Sequence, residues 1–294
     1  MNLTPYTWAV IIGVMTGFFS RLRMLRTDYR QYPTYLHGQV IHLSLGFIAA
    51  GLGAVAVPAL LEKEYTAITF LSLAAQQFRE VRNMERESLS KLDQMELVKR
   101  GPSYIEGIAM AFEGRNYLVI LTAFLTSLTV VVGTWYLGIL VGLVAIVITG
   151  VLQSGKNLGQ ITEVRPGELR MEEAGLYVDD IYLMNVGLKE NRQRILDRGI
   201  GIIIEPKNVD SRITLANAGQ RQAILHDAST ILGVYRDTGE PSLTPISKRD
   251  LEDGRLGVLL LPEDRNEERA IRVVQKVPVL ESAVRLPEEQ PDRA

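Results

Sequence analysis

Cysteine is absent from the 294 residues, and histidine occurs only three times. Without cysteine there is no disulfide framework and no thiolate metal site, and thiol redox catalysis is excluded. His37, His42 and His226 do not fall into an HExxH pattern, and no GxGD, GxSxG, Walker A or Rossmann glycine fingerprint occurs. Metal, serine-hydrolase and nucleotide chemistry therefore have no motif to rest on, and neither a metal nor a cofactor is expected. An excess of either charge is missing as well. The formal net charge of −2 gives no electrostatic reason to expect nucleic acid as a partner.

Long apolar runs are absent from residues 156–294, but residues 1–152 carry several. The averages of 47% hydrophobic and 22% charged residues conceal this division, so the two halves are read separately. Tyr117–Leu152 has no charged side chain, and two spans of roughly 17–20 apolar residues are what a hydrocarbon core about 30 Å thick requires. This is a polytopic α-helical membrane protein with a soluble half. Its amino terminus is the reverse of a secretory signal, because Met1–Tyr6 has no basic residue and the arginines follow the apolar run.

The first span is expected at Tyr6–Phe19, followed by Arg21, Arg23, Arg26 and Arg30, and the second at Val40–Leu61. Basic residues concentrate in cytoplasmic loops, which puts Arg21–Gln39 inside. Tyr65–Phe78 is the candidate third crossing, or a re-entrant helix, and the final pair is expected at Tyr117–Val132 and Tyr136–Leu152. Five crossings result, with the amino end outside and the carboxyl half in the cytoplasm. Four is the alternative. Gly13/Gly17 and Gly138/Gly142 have GxxxG spacing, read as close helix packing in preference to a dimer face. With almost no ionisable residue in the spans, no transport pathway is marked.

The domain boundaries follow. Residues 1–155 form the membrane domain, with a cytosolic amphipathic segment at 79–116; its Arg79–Arg100 part is predicted to be a helix stopped by Gly101 and Pro102. Gly155–Gly167 reads as a linker to a cytosolic α/β domain within 156–286, and residues 287–294 as a disordered tail. Leu176–Val178 and Ile181–Met184 are short extended runs. Lys189–Arg198 is predicted to be a helix, Gly199–Pro206 a strand, Leu215–Leu232 a helix, Leu256–Pro262 a strand and Asn266–Gln275 a helix. Two strand–helix units suggest a sheet covered by helices on one face, resembling a ferredoxin-like sandwich.

Tyr104–Ala109 reads YIEGIA, preceded by Gly101-Pro102-Ser103. With the charged stretch Arg79–Arg100 and the RTDYRQYP segment at Arg26–Pro33, it resembles the YIEGIA family of membrane proteins from endospore-forming Firmicutes. The resemblance implies a membrane location and a link to sporulation, and brings no set of catalytic residues. Glu106 within the hexapeptide is an acid among apolar neighbours beside a membrane span, and calls for a basic partner, either Arg115 or a basic residue of Arg21–Arg30.

Asp237-Thr238-Gly239 has the form of an aspartic-protease triplet. In that chemistry two carboxylates share one proton, one acting as base on a water and the other as acid toward the scissile carbonyl. One triplet per chain requires a symmetric homodimer. The wording is also similar to the membrane-bound aspartic peptidase that processes the early mother-cell sigma factor in spore formers. Against this, Arg236 directly precedes Asp237, a helix is predicted just upstream, and D-T-G is an ordinary turn sequence. Asp28, Asp179 and Asp180 are the other candidate acids. Adjacent Asp179 and Asp180 cannot pair with each other if they lie on a strand, where neighbours face opposite sides. The expected function is a membrane-anchored aspartic-type protease acting on a protein in sporulation; the alternative is a non-enzymatic membrane scaffold or regulator that binds a partner protein.

Overall fold

The computed structural model describes residues 4–28, 36–151, 155–236 and 243–285. The chain divides into two units. Met1–Glu87 and Ile108–Ser154 form the first, and Ser88–Gly107 with Gly155–Ala294 the second.

Among the described residues the first unit is supplied by α1 (Pro5–Asp28), α2 (Leu36–Leu61), α3 (Tyr65–Asp93), α4 (Pro102–Val132) and α5 (Trp135–Val151), of which α3 and α4 also contribute residues to the second unit. Among the described residues, three stretches are long and apolar enough to cross a membrane, at Pro5–Leu25, Gly38–Leu61 and Pro102–Val132. The sequence pattern predicts about five. Helix α5 is apolar but shorter, and Tyr65–Phe78 is not an element of its own but the first half of α3, which runs on through charged residues.

Close packing within this unit falls on glycines. A Cβ at Gly13 or Gly17 would press on α4 at Ala123, and one at Gly142 on Thr16 and Thr126. The GxxxG pairs are thus spent inside the chain. Thr16 Oγ1 donates to Thr126 Oγ1 at 3.1 Å and Ser127 Oγ to the Ala54 carbonyl at 3.0 Å, as hydroxyls do between apolar helices. Arg21 was expected in a loop. It lies on α1, fully buried, with its guanidinium 5.0 Å from the Phe112 ring centre, and His42 packs on the same ring at 4.5 Å while facing Glu85 at 3.6 Å.

The helix expected to reach Arg100 stops at Asp93. The cause is local, since the Asp93 carboxylate accepts the backbone N–H of Arg100 at 2.6 Å and of Gly101 at 3.2 Å, folding the chain back.

The second unit adds α6 (Leu158–Ile161), β1 (Thr162–Gly167), β2 (Leu169–Glu172), β3 (Gly175–Val178), β4 (Ile181–Asn185), α7 (Lys189–Arg198), β5 (Ile200–Pro206), α8 (Val209–Ala216), α9 (Ala218–Leu232), β6 (Ile246–Arg249), β7 (Leu256–Leu260) and α10 (Glu267–Lys276). Helices α8, α9 and α10 each begin at an asparagine, Asn208, Asn217 and Asn266, whose side chain accepts the N–H three residues on. Asn217 also breaks the expected single helix in two.

One antiparallel sheet runs β1-β5-β7-β6 and a separate meander runs β2-β3-β4. Strands β5 and β6 both pair antiparallel with β7, so they run the same way with β7 between them, joined by α8 and α9. The supposed linker is structural. After α10 the chain returns beside α6, with Leu158 N–H donating to Val277 O at 2.9 Å and Val279 N–H to Lys156 O at 3.0 Å, and β1 follows directly.

Alternate residues of β5 and β7 enter two cores. Ile200, Ile202, Ile204, Leu256, Val258 and Leu260 join α9 and α10 residues, including Ile224 and Val274. Ile203 and Leu259 join Leu176, Val178, Ile181 and Leu183 of the meander. Helices α9 and α10 thus cover one face of the sheet and the meander covers the other, and a strand buried on both sides reads as a continuous apolar run. Each such side chain contributes about 1.5–3 kcal/mol by leaving water. A fragment beginning at Glu168 loses β1 and α6 along with Ser88–Gly107. We expect no cooperative thermal transition from residues 168–286; a sharp one would contradict the role given to those segments.

Candidate functional site

The acids singled out in the sequence divide sharply. Asp237 lies outside the described residues, and so does the side chain of Asp28, whose backbone closes α1. Asp179 and Asp180 do not sit on a strand. They form the two-residue turn between Val178 and Ile181, which pair directly, and Asp179 takes φ 54°, a value that aspartate tolerates better than most residues. The Asp179 carboxylate accepts from Arg165 Nη1 and from the Glu168 N–H, both at 2.7 Å. Asp180 is clasped by Arg255 at 2.7 and 3.1 Å, and this hydrogen bonding holds its carboxyl below the usual range. The two side chains turn to different arginines. Each serves the hairpin, in partly exposed pairs worth at most about 1 kcal/mol.

The YIEGIA hexapeptide sits in the first turns of α4, which opens with Pro102 in the position where a missing N–H costs nothing. Within the second unit its Tyr104 faces α9. Gly219, Gln222 and His226 of that helix recur at spacings of three and four residues, on one face. Gly219 lets the helix come against the Ser103 carbonyl, Gln222 Oε1 accepts the Tyr104 N–H at 3.0 Å, and His226 Nδ1 lies 2.6 Å from the Val98 carbonyl. Tyr104 is fully buried, and its hydroxyl donates to both oxygens of Asp227, at 3.3 and 3.4 Å. Gly107 faces Ser282, whose Oγ would lie 2.5 Å from an added Cβ. Tyrosine and glycine are thus demanded by contacts, while Glu106 is half-buried on the same helix.

Asp227 is the unusual group here. Removal of its carboxylate from water is the largest influence and raises its pKa to about 7, against the Tyr104 hydrogen bond and the Arg100 charge. His226 beside it is lowered, chiefly by burial. Arg100 is buried, contacts Glu96 at 3.4 Å and leaves its Nε without a hydrogen bond. A strongly perturbed acid beside a buried arginine, histidine and tyrosine is a chemically capable cluster. Sequence reasoning missed Asp227, Arg100 and Gln222. The available signal was an acid on α9 between apolar Ile224 and Ala228.

The YIEGIA protein family model matches residues 9–290. The chain belongs to the YIEGIA family. It is 53% identical over 287 residues to the uncharacterized protein YphB of Bacillus subtilis (strain 168), covering 98% of this chain and 97% of that protein. No solved structure matches. For this YIEGIA-family chain the signature hexapeptide has a physical explanation in the Tyr104–Asp227 and Gly107–Ser282 contacts.

The shift at Asp227 has a pH signature. Its folded pKa lies above the unfolded value of about 3.9, so its contribution to stability is full below pH 4 and is lost as pH rises through about 7. His226, lowered on folding, acts oppositely below about pH 6.5. Asp227→Asn should therefore leave stability near its parent value at pH 4 and raise it at pH 8, by up to about 4 kcal/mol. Thermal unfolding of parent and variant across that range is the check, and equal differences at both ends would refute the assignment.

Proposed function

We propose that this chain is a membrane-anchored aspartic-type protease of the sporulating cell, cutting a cytosolic or membrane-associated protein, with Asp237 as its catalytic acid. The supporting observation is the setting of the residues around the triplet. Helix α9 ends at Leu232, Gly233 turns the chain at φ 73°, Val234 is buried, and Tyr235 donates its N–H to Leu261 O at 2.8 Å. On the far side, Ile246 pairs with Leu259. Residues 237–242 are thus flanked by two runs tied to the same end of a buried strand, the rigid base that a preorganised site requires. With Asp179 and Asp180 each engaged by an arginine, the second carboxylate is best supplied by Asp237 of another copy. Clearance of a substrate protein by cells carrying Asp237→Asn is the test.

The second reading is a scaffold or regulator that binds a partner protein. It is favoured by the engagement of Asp179 and Asp180 in ion pairs and by the use of Tyr104 and Gly107 in packing.

Two finer readings of architecture accompany the proposal. Taken from β5, the order strand, helices, β6, β7, α10, β1 is that of a ferredoxin-like sandwich entered at its last strand, supported by the return of the chain beside α6. Five crossings, with the α/β unit in the cytoplasm, are supported by Trp8 and Trp135 lining one groove, which sets the start of α1 and the α4–α5 turn on the same side.

A further inference from the structure

Strand β6 is the outer strand of the order β1-β5-β7-β6; the opposite edge, β1, is blunted by Pro166, which has no N–H. The hairpin register fixes which main-chain groups of β6 point outward. Asp250 N–H donates to Arg255 O at 2.8 Å where the β6–β7 hairpin closes, and the same register sets Lys248 opposite Gly257 and Ile246 opposite Leu259. Antiparallel ladders alternate, so the main-chain groups of Lys248 and Ile246 face β7, and those of Ser247 and Arg249 face away. No hydrogen bond to these outward groups forms among the described residues.

The side chains of this edge are basic on both faces. Lys248 projects toward the meander, with Nζ 4.3 Å from the Tyr182 ring centre. Arg249 lies on the other face, opposite Leu256 of the α9 and α10 core, and makes no hydrogen bond or ion pair among the described residues. Its Nε is closed off from solvent but the terminal nitrogens are not. The aspartates of the hairpin are turned elsewhere: Asp250 Oδ1 accepts the Glu252 N–H at 2.7 Å, and Asp253 pairs with Arg255.

A strand edge with unpaired ladder groups is a template for a further strand. A second copy fits it badly. The antiparallel register that uses the outward groups of both Ser247 and Arg249 is centred on Lys248 and would set that lysine against its own counterpart, and like charges directly opposite are destabilising. An acidic strand has no such conflict, because consecutive side chains alternate between faces and adjacent acids then meet Lys248 on one face and Arg249 on the other. We propose that the β6 edge binds an extended acidic segment of a partner protein, which adds to the sheet through the main chain of Ser247 and Arg249 and presents adjacent carboxylates to Lys248 and Arg249. The main-chain bonds supply affinity, and the charges select the partner. The proposal does not depend on the protease reading, and its test does not involve Asp237.

The probe is a short fluorescein-labelled peptide of threonine and valine with two adjacent glutamates at its centre, titrated with the full-length chain in detergent and followed by fluorescence anisotropy. Saturable binding is expected. It should weaken about tenfold when lysines replace the glutamates, and disappear when the central amides of the peptide are N-methylated. Lys248→Glu combined with Arg249→Glu should reverse the preference between the two peptides, which a misfolded variant could not do. Ser247→Pro removes an outward N–H and no bond to β7, so it should abolish binding with thermal unfolding unchanged, while Ser247→Ala binds as the parent does. Absence of saturable binding, equal binding of the glutamate and lysine peptides by the parent, or binding that survives N-methylation or Ser247→Pro overturns the proposal. So does self-association of the parent that Ser247→Pro abolishes and the peptide does not displace, since a second copy then holds the edge. Binding seen only after removal of residues 286–294, which include Glu288 and Glu289, assigns the edge to the chain's own tail and overturns the partner equally.

Discussion

Asp237→Asn is expected to abolish turnover of the protein substrate while leaving abundance and membrane insertion nearly unchanged. Asparagine keeps the size and shape of aspartate but cannot exchange a proton, and proton transfer by a positioned side chain is worth about 10²–10⁴-fold in rate. Asp237→Glu should fail as well, because an extra methylene moves the carboxylate beyond the roughly 0.5 Å tolerance of a preorganised site. In cells carrying either variant, a protein normally cleared during sporulation should accumulate. The same measurement on Asp28→Asn, Asp179→Asn and Asp180→Asn distinguishes the sources of the second acid. The clasp of Arg165 on Asp179 and of Arg255 on Asp180 leads us to expect that those two variants cut normally. Loss confined to Asp237 then indicates a symmetric pair of chains. In that case parent and Asp237→Asn copies, expressed equally and pairing at random, should retain about one quarter of the activity, the share of pairs with both acids intact. If all four asparagine variants clear proteins like the parent, aspartic catalysis is wrong and the scaffold reading takes its place.

The second large effect is structural. Gly201→Val should unfold the α/β unit or come close to it. Position 201 lies directly opposite Gly167 in the β1–β5 ladder, and a Cβ there would overlap the Gly167 carbonyl oxygen. That oxygen belongs to backbone held in register on one side and to the meander on the other, since a Cβ at Gly167 would itself run into Val178. Overpacking against side chains costs typically about 1–3 kcal/mol, and here the obstacle is main chain, so the cost should exceed about 3 kcal/mol out of a total near 5–15. Gly187→Ala is the contrast. Nothing lies within 4 Å of an added Cβ there, so the change should stay within about 0.5 kcal/mol. Chemical denaturation of the purified chain measures both, and a Gly201→Val protein as stable as Gly187→Ala would mean that β1 is not bound to β5 as described.

Much of the architecture was legible in local pattern. Charge-free runs marked apolar helices because hydrocarbon tolerates no unpaired backbone and few charges. Lys189–Arg198 matched α7 residue for residue, and the β-branched run before Pro206 matched β5. The helix expected at Asn266–Gln275 matched α10 to within a residue at each end. The family too was written in six consecutive residues.

What escaped local reading was whatever depends on partners distant in the chain. Residues Thr162–Gly167 carry a proline, a glycine and mixed charge, which resemble a linker; pairing with β5 makes them a strand. Arg79–Arg100 has the composition of one helix, but the Asp93 carboxylate offers the chain a competing set of hydrogen bonds at the point where it turns. The aspartates at 179 and 180 look like candidate catalysts until the arginines at 165 and 255, one in β1 and the other beside β7, arrive to hold them. Asp227 shows the opposite case: on the sequence it is one acid among many, and only the approach of α4, with the Tyr104 ring and the backbone at Val98 closing around α9, takes its carboxylate from water and changes its chemistry. Periodicity and composition determine what a segment can become by itself. Pairing, burial and the titration of a buried acid are decided by tertiary structure, because each is a property of two or more segments at once.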